Sequence, residues 1–309
     1  MLMCADKKNA PESIVVLENE AMAKHTSWRA GGVARRFVKA ASLDALATYI
    51  ADLPEDEALL WMGLGSNTLI RDGGFNGTVI ATQGVMTQIK LLDKAPYEDC
   101  VYAGAGVSSA KLARFCTKHE LAGAEFFAGI PGLVGGALAM NAGAFGGETW
   151  PLVVEVETLN RKGEIKTRKA ETFKYSYRHV EGLQGEWFVS ATFKLKKVNA
   201  GQERTSNTID IKKLLAKRAA AQPTGVASCG SVFRNPPGDY AARLIEACQL
   251  KGKTIGGARV SEKHANFIIN EDNASAQDIE SLILLIRKTV EDEHGILLQP
   301  EVKIVGDRM

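Results

Sequence analysis

Long apolar runs are missing from this 309-residue sequence, whose longest stretches, such as 282–286, fall far short of the roughly 20 residues that span a bilayer. A charge excess is missing as well. Lys and Arg number 38 against 36 Asp and Glu, a net +2, which argues against a chain built to coat a phosphate polymer, and no nucleic-acid or membrane partner is expected. The five cysteines, Cys4, Cys100, Cys116, Cys229 and Cys248, are odd in number, scattered and without a Cys-x-x-Cys pair. Neither a disulfide framework nor a zinc site is expected from them, and a reducing compartment suits them. His25, His119, His179, His264 and His294 show no metal-ligand spacing, so no metal is expected either. No apolar segment of signal-peptide length follows Lys7 and Lys8, and these absences together read as a cytoplasmic protein. Proline is scarce, at nine residues against 30 glycines with no Gly-X-Y period. Collagen-like and low-complexity chains are thereby excluded, while glycine-rich binding loops stay open.

What is present is the composition of a soluble globular chain, 45% hydrophobic and 24% charged, long enough for about two domains. Residues 1–24 lack strong periodicity and read as an N-terminal extension. Ser42 then caps a helical pattern, Leu43, Leu46, Ala47, Ile50 and Leu53, stopped by Pro54. An apolar run at 59–62 reads as a buried strand entering a tight loop, 79–81 and 100–103 as further strands, and 108–119 as a second helix. From 153 the pattern changes to a hairpin, 153–160 with 165–169, and a strand at 187–196, which together suggest an antiparallel sheet. After the polar stretch 199–207 come a helix through Ile211, Leu214 and Leu215, a helix at 240–248, and a strand at 266–270. An amphipathic helix at 276–294 closed by Gly295 and a last strand at 297–305 complete the chain. The sum is an α+β chain with a boundary near residue 198.

Two familiar nucleotide signatures fail on spacing. Gly104-Ala105-Gly106 has Ser109 where a dinucleotide turn needs its third glycine, and Gly252-Lys253-Thr254 has Ala247 where a phosphate-binding loop needs its first. Two other stretches survive: Gly63-Leu64-Gly65-Ser66-Asn67-Thr68, and Gly129-Ile130-Pro131-Gly132-Leu133-Val134-Gly135-Gly136-Ala137 followed by Met140-Asn141-Ala142-Gly143-Ala144. Glycine lets backbone amides approach an anion with no Cβ in the way, which a pyrophosphate needs. Each stretch alone reads as turn chemistry; the pair in one half of the chain reads as a nucleotide-cofactor cradle.

These stretches, with His25-Thr26-Ser27-Trp28-Arg29-Ala30-Gly31-Gly32 before them, resemble the flavin-binding signatures of the UDP-N-acetylenolpyruvoylglucosamine reductase family. Further matches follow in family order: Tyr175-Ser176-Tyr177-Arg178, Cys229 to Pro236, Leu250-Lys251-Gly252, Ile255-Gly256-Gly257 and Gln299-Pro300-Glu301-Val302. The resemblance implies an FAD-binding domain of the vanillyl-alcohol oxidase (PCMH) type over 25–197, with subdomains of about 25–82 and 83–197. A C-terminal α+β substrate-binding domain over 198–309 would follow. It implies non-covalent FAD, NADPH as hydride donor, and reduction of UDP-N-acetylglucosamine enolpyruvate to UDP-N-acetylmuramate. That step belongs to peptidoglycan precursor synthesis and so to cell shape and division, and the enzyme is expected to act as a monomer.

The same resemblance assigns FAD to Gly63, Leu64, Gly65, Ser66, Asn67, Thr68, Gly129, Ile130, Pro131, Gly132, Gly135, Gly136, Ala137, Asn141 and Gly143. Arg178 matches the catalytic arginine, a guanidinium fork suited to a carboxylate on which charge develops. Ser231 matches the proton donor, and Glu301 the third catalytic position, which can donate a proton if its pKa is raised. Taken alone, Arg178 reads as a strand-edge charge, Ser231 as a turn residue and Glu301 as an edge carboxylate. Tyr177, Asn235 and His264 are the candidate substrate contacts, with Asn266 beside the last, and Lys217 or Arg218 the candidate for the diphosphate. The piece between Arg178 and Trp187 is too short for the inserted tyrosine loop of one family branch, so the chain resembles the shorter branch. Another flavin oxidoreductase on the same fold, or a catalytically silent nucleotide-binding module, are the rival readings.

Overall fold

Strand Phe75–Ala81 is buried along most of its length, Thr78, Val79 and Ile80 completely, as a central parallel strand must be. The computed structural model, which describes residues 14–92, 94–198 and 211–309, places it inside a four-stranded sheet in the order 14–21, 33–40, 75–81, 59–62. Helix α1 (Leu43–Ala51) starts where Ser42 Oγ accepts from Ala45 N (3.2 Å) and buries Leu46, Ala47 and Ile50. These pack with Val38 and Ile80 of this sheet and with Leu159 and Val189 of the next, so one apolar cluster joins the two sheets.

The described part of the 1–24 segment packs on the body of the protein. Ile14–Ala21 is an antiparallel edge strand, Ile14 opposite Ala40 through to Ala21 opposite Val33. Val15 and Val16 stay exposed, so the segment carries no clean inward face for alternation to reveal.

The second sheet is antiparallel throughout, ordered 165–169, 153–159, 187–194, 100–104, 89–92. Its hairpin turns where Asn160 Oδ1 accepts from Lys162 N (2.9 Å) and Glu164 N (3.0 Å), with Gly163 at φ +76°. Alternation in Trp187–Lys194 marks no solvent face, because Ser190 and Thr192 are buried too. Helices α2 (Ser109–Lys118), N-capped by Ser108, and α3 (Val134–Ala139) contribute to a core centred on Phe127, Trp150 and Phe193.

The C-terminal part combines α4 (Ile211–Ala221), α5 (Ala241–Ala247), α6 (Ala276–His294) and a small antiparallel sheet, 254–255, 258–260 and 268–270. The polar stretch 199–207 lies outside the described residues. A capping box, Ser275 with Asp278, starts α6, and Gly295 at φ +67° ends it. Ile279, Leu282, Ile283, Ile286 and Val290 form its buried stripe.

This core also takes in Trp28, Ala30 and Leu69 from the front of the chain. Trp28 Nε1 donates to Ile268 O (2.8 Å) and Asn270 Nδ2 to Trp28 O (2.8 Å). Arg71 forks onto Glu280 of α6 (2.8 and 3.0 Å), and the Asp72 carboxylate accepts from the first amides of that helix, Ala276 N and Gln277 N. Two expected strands are shorter than their sequence patterns. The last is confined to Lys303–Val305, parallel to Thr68–Ile70, because Pro300 has no N–H to give a ladder and only bridges Phe233. The strand expected from 266 begins at Ile268, since Asn266 turns its side-chain amide onto both backbone groups of Phe233 (2.9 and 2.8 Å).

Replacing Trp28 by Phe removes the Nε1 donor to Ile268 O, among the described residues the only side-chain donor to that buried carbonyl. We expect a loss of about 1–3 kcal/mol, read as a lower urea midpoint at unchanged slope; an unchanged midpoint would show that the two parts of the chain are held together elsewhere.

Candidate active site

The two glycine-rich loops meet the C-terminal part around a cavity of about 700 Å³, within the range of ordinary ligand sites. The first loop leaves strand Leu59–Met62. At Gly65, φ is +59° and a Cβ would run into the His25 carbonyl oxygen, so only glycine fits. The Gly65 carbonyl accepts from Ser27 N (3.1 Å) and from Cys229 Sγ (3.4 Å); burial pushes that thiol up to about 12, which keeps it a donor. Ser66 Oγ donates to Pro131 O (2.6 Å), tying the first loop to the second. Asn67 Nδ2 donates to Glu301 O (3.1 Å), tying it to the end of the chain.

One end of the cavity is built from three distant segments. Arg178 occupies the left-handed position, φ +56°, of the two-residue turn between strands Lys174–Ser176 and His179–Glu181. Its Nη2 donates to Gly143 O (2.9 Å), and its Nε lies 2.9 Å from Glu301 Oε1. Glu301 N donates to Val232 O (2.7 Å), Val232 N to Asn266 O (2.9 Å) and Arg234 N to Gln299 O (2.9 Å), which sets Ser231 on the segment alongside Glu301. Burial pushes the Glu301 carboxyl above the usual carboxylate range, outweighing the opposite pull of Arg178 and, more weakly, Arg234. Among the described residues, Glu301 is the only carboxylate lining the cavity, against Arg178, Lys217, Arg218, Arg234 and Lys303. Such an excess of cations in a concave, glycine-walled site fits a polyanionic ligand.

Most predicted site residues line this cavity: Gly63 to Thr68, Gly129 to Gly132, Gly136, Ala137, Gly143, Arg178, Ser231 and Glu301. Five do not. Gly135 packs against Ala105 behind the wall, and Asn141 is completely buried with its side chain engaged by protein groups. Tyr177 is 43% exposed on the turn; Asn235 Oδ1 accepts from Ala241 N (3.1 Å) at the start of α5; and His264 packs edge-on to Phe267, half-buried. Of the two candidate diphosphate cations, Arg218 is anchored by its Nη1 to Gly129 O (2.6 Å), on the rim of the second loop.

Arg234 and Lys303 were not singled out by sequence reasoning. Lys303 follows Glu301 at a spacing of two, the strand period that puts both on one face, so alternation carried the signal. Arg234 lay inside a matched motif, but nothing local says where its guanidinium points.

The family profile described as the C-terminal domain of UDP-N-acetylenolpyruvoylglucosamine reductase matches residues 222–305, and an FAD binding domain profile matches 34–168. The UDP-N-acetylenolpyruvoylglucosamine reductase of Legionella pneumophila (strain Corby) is 56% identical over 293 residues, 94% of this chain and 92% of the relative. The reductase of that name from Methylococcus capsulatus is 54% identical over 305 residues, 98% of this chain and 97% of the relative. This chain belongs to the UDP-N-acetylenolpyruvoylglucosamine reductase family. A solved structure of the family, the Thermus caldophilus enzyme, superposes with a TM-score of 0.77 at 27% identity, covering 94% of this chain and 98% of that one. The fold is therefore the expected one, α+β, with an FAD-binding unit followed by the family's C-terminal domain.

The residues present fit FAD. Both glycine loops fall within the FAD-binding match, most of their residues line the cavity, and a Cβ at Gly136 would meet no protein atom within 4 Å while lining it. Two glycines thus separate structure from binding. Gly65→Ala should destabilise the protein as well as cut its flavin content. Gly136→Ala, in α3, should hold or raise apo-protein stability by up to about 1 kcal/mol yet weaken FAD binding, measured by thermal denaturation and flavin absorbance. Full flavin occupancy in Gly136→Ala would place the cofactor elsewhere.

Proposed function

We propose that this protein reduces UDP-N-acetylglucosamine enolpyruvate to UDP-N-acetylmuramate, with FAD held non-covalently and NADPH as reductant, in peptidoglycan precursor synthesis. The observation that carries the reading is the Arg178–Glu301 pair beside the Ser231 segment, in an otherwise cationic cavity, within a chain of this reductase family. FAD, which the 63–68 and 129–137 loops would hold, would supply the redox chemistry, hydride transfer with NADPH as the source and the enolpyruvyl double bond as the acceptor.

The chain's own residues do the rest. Hydride addition at the terminal vinyl carbon throws negative charge onto the neighbouring carboxylate, and Arg178, fixed by the Gly143 carbonyl, offers its fork to that charge. Ser231 delivers a proton to the carbon bearing the ether oxygen. Glu301, whose pKa burial raises, donates a hydrogen bond or proton at the carboxylate side when protonated. Lys217, Arg234 and Lys303 supply positive charge for the diphosphate. We further propose an FAD unit at 25–197 and a substrate unit at 198–309, acting as a monomer in the cytoplasm. Among the described residues no helix is long and apolar enough to cross a membrane.

Anaerobically, NADPH should bleach the flavin and the enolpyruvyl substrate should restore it; restoration by oxygen alone at the same rate would favour an oxidase. Ser231→Ala should leave bleaching nearly intact and slow restoration by about 100-fold or more, and an equal loss in both half-reactions would mark Ser231 as structural. The protonated form of Glu301 exists below its raised pKa, so restoration should be fastest at low pH and fall as pH rises through that pKa. Glu301→Gln should erase this alkaline limb from the pH profile of the substrate half-reaction.

A further inference from the structure

Asn141 is fully buried, with φ at +44°, and does not reach the cavity, although Met140, Ala142 and Gly143 on either side line it. Its side chain is spent inside the protein. Oδ1 accepts from Trp150 N (3.0 Å), while Nδ2 donates to Glu148 Oε2 (3.0 Å) and to Ser176 O (3.1 Å). The first two partners fix the ribbon in which Gly143 pairs with Glu148. The third is the last strand residue before the turn that carries Arg178. Arg178 closes the circuit by donating from Nη2 to Gly143 O (2.9 Å), with a long contact from Nη1 to Asn141 O (3.5 Å).

The hairpin cannot hold this geometry by itself. Its strands, Lys174–Ser176 and His179–Glu181, are three residues each and mostly exposed, and their apolar anchors are the stacking of Tyr175 on Trp150 and half-buried Val180 against the same core. An arginine on such a turn sweeps a wide arc unless the turn is tied to something buried. We propose that Asn141 is the positioning residue for Arg178: its amide locks the hairpin to the 143–150 ribbon, whose Gly143 carbonyl then sets the guanidinium against Glu301. An amide suits this junction because one oxygen and two N–H groups meet one donor and two acceptors. Aspartate there would set lone pairs against both Glu148 and Ser176 O. The assignment rests on the proposed role of Arg178 at the substrate carboxylate.

The test compares Asn141→Asp, Glu148→Ala and a double variant that joins Asn141→Asp with Glu148→Gln, all as FAD-loaded proteins, in separate anaerobic half-reactions. Asn141→Asp should keep its flavin and its bleaching by NADPH within about twofold of wild type, while restoration by the enolpyruvyl substrate slows by about 10- to 100-fold, the scale of a 1 Å misplacement. Glu148→Ala, at a partly exposed position, should show the same selective defect to a smaller degree. The double variant should recover part of the loss, because the glutamine amide introduced at position 148 can donate to the carboxylate introduced at position 141. Should Asn141→Asp fail to fold, Glu148→Ala decides. Restoration within twofold of wild type in the variants that fold overturns the proposal, and so does a parallel fall of flavin content and both half-reactions, which would make Asn141 a cofactor holder. Wild-type flavin that NADPH bleaches but the enolpyruvyl substrate does not restore would instead sink the functional reading on which the proposal rests.

Discussion

Lys303–Val305 runs parallel to Thr68–Ile70 for three residue pairs, and Lys303 N donates to Asn67 O (3.0 Å) just before them. This short ladder is the constraint on which the site depends, since it returns the end of the chain to the loop that opens the FAD cradle. Glu301 is thereby held two residues upstream of Lys303 with its carbonyl on Asn67, and its amide draws the Val232 segment alongside. Three parallel pairs would not persist alone in water. They persist because Trp28 and Leu69 are embedded in the C-terminal core and because Arg71 and Asp72 grip the start of α6.

The second governing fact is the charge of the cavity wall. Among the described residues five cations face one carboxylate on this wall and repel one another, and of the five only Arg178 forms an ion pair with a carboxylate. Anionic ligands relieve that repulsion, so binding of a dinucleotide and a nucleotide sugar is favoured by the same arrangement that makes the empty wall costly. Glu301 sits in this field and is nevertheless pushed toward its neutral form, because burial outweighs the neighbouring guanidinium groups. A carboxyl whose pKa is raised in this way suits the donor role proposed for it.

Backbone conformation is used economically around this chemistry. Gly65 is obligatory because the chain crosses its Cβ side at His25, whereas Gly136 is small to leave room in the cavity. Arg178 and Asn141 take left-handed conformations without being glycine, and each is held by hydrogen bonds from another segment. Such strain at a reactive turn persists only where surrounding contacts fix it.

Much was legible in the sequence. The cap at Ser42, the helix starting near Ser108, the stripe and C-terminal glycine of α6, the hairpin at 160–164 and the two glycine loops all follow from local spacing, because propensity, capping and periodicity act over a few residues. The ordered motifs sufficed for family membership, and with it for the identity of Arg178, Ser231 and Glu301 as candidates. Tertiary structure alone decided that residues 14–21 close a sheet edge, that Asn235 caps a helix, that Asn141 stands behind the wall, and that Arg234 and Lys303 face the cavity. The edge strand, the Asn235 contact and the Asn141 contacts join segments nearer in sequence, but the cavity wall depends on which segments meet across 100 residues or more, and on whether a carboxyl such as Glu301 is drained of water when they do. No local pattern encodes either, since both are properties of the packed whole.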